Sequence, residues 1–162
     1  AGVEAGVAIR EGLEGNGDLY DVDRETVVDH KIVGPTALKD YRLNGPPDQY
    51  RIQVHGYGKG YKRIGLPVKH VAIAFYPRSA DLSGLYVWSE PYDESIIDAA
   101  LQRHDQILEL ICELDIENHA ERYRLIPATP GHPCSWCPWW KPGPDTGTGC
   151  PGNTQQRTAT AT

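Results

Sequence analysis

Nowhere in the chain's 162 residues does an apolar run approach the roughly 18 that a bilayer demands, so no membrane-spanning helix is expected. The charged start, apolar stretch and small residues of a secretory signal are missing as well. Positive charge is short: 16 Lys and Arg stand against 22 Asp and Glu, a net charge of −6. Taken alone, that balance argues against a nucleic-acid partner. Gly56-Tyr57-Gly58-Lys59-Gly60 lacks the spacing and the preceding strand of a dinucleotide-binding turn, which excludes that reading. Cysteine is sparse, with four in all. At 17.9 kDa the chain suits one domain with a real core.

The charges that are present are unevenly spread. Residues 31–78 carry nine Lys and Arg against two Asp and Glu, and the remainder carries seven against twenty. That asymmetry suits a basic surface on an otherwise acidic protein; the alternative is that these charges scatter over several faces.

The stretch from Gly17 to Tyr57 concentrates the chemistry. Gly17 to Lys31 reads as two short strands joined at Asp23-Arg24, because β-branched and apolar residues flank that polar pair. With a two-residue loop there, facing positions sum to 47 and Asp18 lies opposite Asp29. Lys31 shares the face of Asp29, and His30 points away. Opposed carboxylates repel, whereas a hard divalent cation such as Mg²⁺ or Mn²⁺ between them reverses the sign. Two carboxylates can hold that ion against a phosphate while the Lys31 ammonium orients water or offsets developing charge. The plainer reading is a solvated strand face with one salt bridge.

Asp18, then Val27-Val28-Asp29-His30-Lys31, then Gln53-x-x-x-Tyr57 resemble the ordered motifs of the PD-(D/E)xK nuclease superfamily, in its RecB-like and phage exonuclease branch. The resemblance spans about Glu4 to Tyr57. It implies an α/β, restriction-endonuclease-like core and metal-dependent hydrolysis of DNA. Asp18 and Asp29 would be metal ligands with the His30 carbonyl, Lys31 would assist the water, and Gln53 and Tyr57 would contact DNA near the scissile strand. Such proteins usually begin with a helix that adds a His or Glu to the site. No such helix is expected before Glu4, so either the chain is a fragment or the site has one ligand fewer, with Glu4 and Glu11 as possible substitutes.

The rest of the chain fits a mixed central sheet flanked by helices. Val3 to Arg10 reads as the first strand of a three-strand meander, with Gly12, Gly15 and Gly17 punctuating the link that follows. Thr36 is expected to cap a short helix to Tyr41, and Asn44 to Pro47 to break the chain. Asp48 would cap a second helix, on which Tyr50, Gln53, Tyr57 and Tyr61 share a face. Such a stripe serves packing, or, interleaved with Arg51, Lys59, Lys62 and Arg63, it serves phosphates and unstacked bases. Glycines 56, 58 and 60 either let this helix approach another backbone or end it early. Val68 to Tyr76 reads as a central strand, with His70 a plain strand residue, and Gly84 to Ser89 as another. From Asp93 a helix is expected to about His119, burying Ile97, Ala100, Leu101, His104, Leu108, Ile111 and Cys112 on one stripe.

Composition shifts at Pro127. Seven of the thirteen prolines, three of the four cysteines and three of the four tryptophans fall by Pro151. Cys134-x-x-Cys137 with Cys150 has metal-ligand spacing, the alternative being a disulfide. The nuclease resemblance extends here and implies a [4Fe–4S] cluster whose fourth Cys precedes the core. Otherwise His132 or Cys112 would serve as the fourth ligand, and the Cys3His set with His132 favours zinc. The expected organisation is a nuclease core at 1–126, a Cys-rich metal segment at 127–152 and a disordered tail at 153–162. The expected protein is a cytoplasmic DNA exonuclease, bacterial or phage-encoded, on single-stranded or end-containing DNA. An inactive DNA-binding relative and a Zn or Fe–S protein-interaction domain are the alternatives.

Overall fold

Three antiparallel strands open the chain: β1 (Gly2–Arg10), β2 (Leu13–Asp21) and β3 (Thr26–Val33). Two helices follow, α1 (Pro35–Asn44) and α2 (Asp48–Arg63), then β4 (His70–Pro77) and β5 (Tyr86–Pro91). The strands line up in the order β1-β2-β3-β4-β5; β3 and β4 run parallel, and the other pairs antiparallel. The parallel pair requires a crossover, which α1 and α2 provide. A third helix, α3 (Glu94–Glu113), completes an α/β architecture with a five-stranded mixed sheet. This computed structural model describes residues 2–79 and 81–127. His132, Cys134, Cys137, Cys150, nearly all of the Pro-rich segment and the whole Thr-rich tail lie outside the described residues. Among the described residues no helix is long and apolar enough to cross a membrane. The chain divides into two compact units, 1–101 and 102–162.

In the first unit the register of β2 on β3 is Leu19 with Val28, Tyr20 with Val27 and Asp21 with Thr26, so facing positions do sum to 47. The loop is longer than the expected two residues and spans 22–25, but it lengthens equally on both sides and the register survives. Asp21 explains why so unfavoured a turn forms: its carboxylate accepts from the backbone N–H groups of Asp23 and Arg24 and from the Arg24 guanidinium. Glu25 closes the loop at a φ of 49°.

Between Val3–Tyr20 and Ala5–Gly17 the β1–β2 register advances two residues on β1 and three on β2. The extra residue is a β-bulge at Asp18-Leu19, and it turns Gly17 and Tyr20 toward the same side. Both meet Tyr61 of α2, whose ring stacks on Tyr20 at 5.2 Å and whose hydroxyl donates to the Gly17 carbonyl. Gly15 and Gly17 are therefore docking positions inside a strand, not punctuation. A Cβ at Gly15 would lie 2.7 Å from the Tyr57 ring, and one at Gly17 2.7 Å from that of Tyr61. The glycines of α2 act reciprocally. Gly60 admits Val7 and Gly56 admits Ile9, and the helix continues through both to Arg63. The core beneath α1 and α2 comprises Val7, Tyr20, Val27, Val33, Leu38, Val54, Tyr61, Val71, Ile73 and Phe75.

Helix ends differ from expectation by small steps. Pro35 occupies the first turn of α1 with Gly34 at the N-cap, so Thr36 is not the cap. Pro47 is the N-cap of α2 and Asp48 its first residue, where its charge still favours the helix dipole. Asp93 does cap α3, accepting from the Ser95 N–H and hydroxyl.

In the second unit α3 stops at Glu113, short of His119. Asp115 takes a φ of 48°, and a 3₁₀ turn follows over Ala120–Leu125. Leu108, Ile111, His104 and Cys112 are exposed, so Cys112 is not a core residue; Ile97 alone of the expected stripe is fully buried.

Candidate functional site

The bulge at Asp18 and the end of the β2–β3 ladder place two carboxylates near each other. Beyond Leu19–Val28 the paired ladder stops. Asp18 instead turns its carboxylate across the gap, and Oδ2 accepts from the His30 N–H at 2.8 Å. That leaves Oδ1 for another partner. Asp29, one residue before, is 2% exposed on the face beneath α2. Lys31 follows on the same face, with Nζ 2.7 Å from Asp29 Oδ2 and 5.2 Å from the centre of the Tyr50 ring.

The electrostatics are unbalanced. Burial raises the Asp29 pKa, Lys31 pulls it down, and the Asp18 charge pushes it up again; the net shift is upward. The Lys31 ammonium is the partner of this buried oxygen, and among the described residues no other donor reaches it. A buried anionic oxygen of this kind is costly unless further positive charge reaches it. This donor set fits a hard cation: Asp18 Oδ1, the Asp29 carboxylate and main-chain oxygen are the ligands such ions prefer. Among the described residues no three His, Cys, Asp or Glu side chains converge on a metal position, so neither Glu4 nor Glu11 joins the pair. Remaining coordination positions would fall to water and substrate oxygens.

The α2 residues divide by role. Gln53 Nε2 donates to the Tyr57 hydroxyl at 2.7 Å, coupling the two expected DNA contacts. Tyr57 also covers Gly15, and Tyr61 is wholly buried, so the stripe is partly packing. Tyr50 contacts Tyr41 and Phe75 while lying beside Lys31. Arg51 is engaged within the fold: Nε and Nη2 grip the two oxygens of Glu90, each at 2.9 Å.

Sequence reasoning missed that network. His55, wholly buried, lies 2.8 Å from Glu90 through Nε2, and its Nδ1 accepts from the Asp93 N–H. Accepting at Nδ1 leaves the proton on Nε2, so a neutral imidazole donates to Glu90. Burial raises the Glu90 pKa, but the bonds from Arg51 and His55 outweigh it and hold the carboxyl below the ordinary glutamate range. The i, i+4 spacing of Arg51 and His55 is the one sequence signal of this pair; their acceptor lies 35 residues from His55.

Comparison with models of known protein families, with curated proteins and with solved structures yielded no match.

Proposed function

We propose that this chain is a metal-dependent deoxyribonuclease of PD-(D/E)xK type, acting as an exonuclease on DNA in a bacterial or phage-infected cytoplasm. The observation that carries the reading is the cluster of Asp18, Asp29 and Lys31, in which a buried carboxylate with a raised pKa is acted on by a second carboxylate and held by one ammonium. The five-stranded order, with the acidic pair on adjacent strands ahead of a helical crossover, supports a restriction-endonuclease-like core.

Asp18, Asp29 and the His30 carbonyl would hold Mg²⁺ or Mn²⁺. The ion would supply charge neutralisation at the scissile phosphate and a more acidic water. Lys31 orients the attacking water and offsets charge that builds on the phosphate oxygens. Its position beside Asp29 keeps the ammonium at the reacting face. Gln53 and Tyr57 steady the strand as one hydrogen-bonded unit.

Cys134, Cys137 and Cys150 belong to the same proposal on their spacing alone, as ligands of one structural [4Fe–4S] or zinc centre. Metal analysis of a Cys134→Ser variant tests them, with unchanged metal content counting against the assignment.

The decisive experiment is hydrolysis of end-labelled linear DNA with Mg²⁺, with Mn²⁺ and with chelator. Cleavage should need the ion and disappear in Asp29→Ala. Undiminished cleavage by that variant would sink the site. One observation favours a second reading, an inactive DNA-binding relative: among the described residues no third acidic side chain joins Asp18 and Asp29. Ion-independent DNA binding without any cleavage would select it.

A further inference from the structure

The cations of residues 31–78 are mostly committed. Lys31 pairs with Asp29, Arg51 with Glu90, Lys59 with Glu94 and Asp98, Lys62 with Glu94, and Lys69 with Glu25. Arg63 donates to the Ile9 carbonyl. The broad basic surface expected from composition therefore contracts to three side chains, Lys39, Arg42 and Arg78, for which no carboxylate partner exists among the described residues. All three are exposed, and all three line one groove of about 480 Å³ between α1 and the end of β4.

Among the described residues no carboxylate lines this groove; its walls are apolar, from Pro35, Leu38 and Pro77. Arg42 is already oriented, since Nη2 donates to the Gly84 carbonyl at 2.8 Å and the guanidinium lies 5.9 Å over the Tyr86 ring. Three convergent cations with no counter-charge make an anion site, and an apolar wall beside them suits the sugar face of a nucleotide. The groove is also in line with the candidate catalytic residues. Arg78 N–H donates to the carbonyl of Val33 at 2.9 Å, and Val33 is two residues beyond Lys31, about 7 Å along β3.

We propose that this groove is a second subsite for a single nucleic-acid strand, holding phosphates that flank the one at Lys31. This rests on the nuclease reading for the direction of the strand. With no aromatic ring lining it among the described residues, the groove holds backbone rather than stacked bases and confers no sequence preference.

The test is the affinity of a labelled twelve-nucleotide single strand in Ca²⁺ at several salt concentrations, for wild type, Lys39→Glu/Arg78→Glu and Asp29→Ala. Charge reversal should lower affinity at least tenfold and flatten the salt dependence by about 1.4 in logarithmic slope, two phosphates' worth for a single strand. Lys39→Gln/Arg78→Gln should fall between, and melting curves should overlay because neither side chain has a structural partner to lose. Unchanged affinity and slope in the reversed variant would overturn the subsite, as would loss of binding to a polyglutamate peptide in place of the oligonucleotide. The two readings separate cleanly. A protein whose DNA binding depends on Lys39 and Arg78, but which never cleaves, keeps the groove and loses the nuclease. One whose cleavage needs Asp29, while the charge-reversed variant binds normally, does the opposite.

Discussion

Asp18 Oδ2 accepts the backbone N–H of His30 at 2.8 Å, at the point where the β2–β3 ladder has ended. The carboxylate thus replaces a missing ladder bond, and its charge acts on Asp29. Structure and chemistry can be separated here, because an amide oxygen accepts the same bond without the charge. Asp18→Asn should melt close to wild type and lose metal-dependent hydrolysis. Asp18→Ala should lose hydrolysis and also about 1 kcal/mol of stability by denaturant titration. Equal stability losses in both variants would contradict the proposed role of the oxygen.

For Asp29 the sign of the pH effect follows from its raised pKa. Between the ordinary aspartate value and the raised folded value, the folded state holds the proton more tightly than the unfolded one. Stability contributed by Asp29 therefore falls as pH rises through that window. Asp29→Asn removes the dependence. In metal-free buffer it should melt higher than wild type at neutral pH, and the gap should close as pH drops below the ordinary aspartate value. Added Mg²⁺ should raise the melting temperature of wild type only.

Glu90 has the opposite sign. Its carboxyl is held below the usual range, so its contribution is complete above the ordinary glutamate value and is lost as pH falls through the lower folded value. Glu90→Gln should shift acid unfolding to higher pH and cost roughly 1–3 kcal/mol at neutral pH, the range for hydrogen bonds to a charged group. Arg51→Ala should likewise lose stability. If it weakened DNA binding while melting normally, the structural role assigned to Arg51 would be wrong.

Gly60 lets α2 rest on β1, since a Cβ there would lie 2.6 Å from the Val7 Cβ. Gly60→Ala gains about 1 kcal/mol in helix propensity but forces overpacking worth about 1–3 kcal/mol. A net loss is expected in denaturant titration. Gly34→Ala meets nothing within 4 Å, so its cost should be confined to the loss of a favoured N-cap residue, with no overpacking.

Local information carried the strands, the register and the position of Asp29 beside Lys31 on one face, because side-chain alternation and hairpin pairing follow from residue order alone. The symmetric lengthening of the 22–25 loop shows how robust that logic is: the turn was misjudged, yet the three pairs from Asp21–Thr26 to Leu19–Val28 kept the expected register, and only the Asp18–Asp29 pair fell beyond the ladder. The α2 stripe was legible for the same reason, as spacing on a helix.

Tertiary contact decided the rest. Whether Gly15 and Gly17 end a strand or seat two tyrosines depends on a bulge that shifts β2 against β1, and no local propensity encodes that shift. Whether a cation is free depends on which acid packs opposite it. Arg51, Lys59 and Lys62 looked like a basic face in sequence, and their counter-charges at Glu90, Glu94 and Asp98 lie more than thirty residues away. Charge neutralisation acts through space at a few ångströms, so only the folded chain could leave Lys39, Arg42 and Arg78 without carboxylate partners among the described residues while enclosing Asp29.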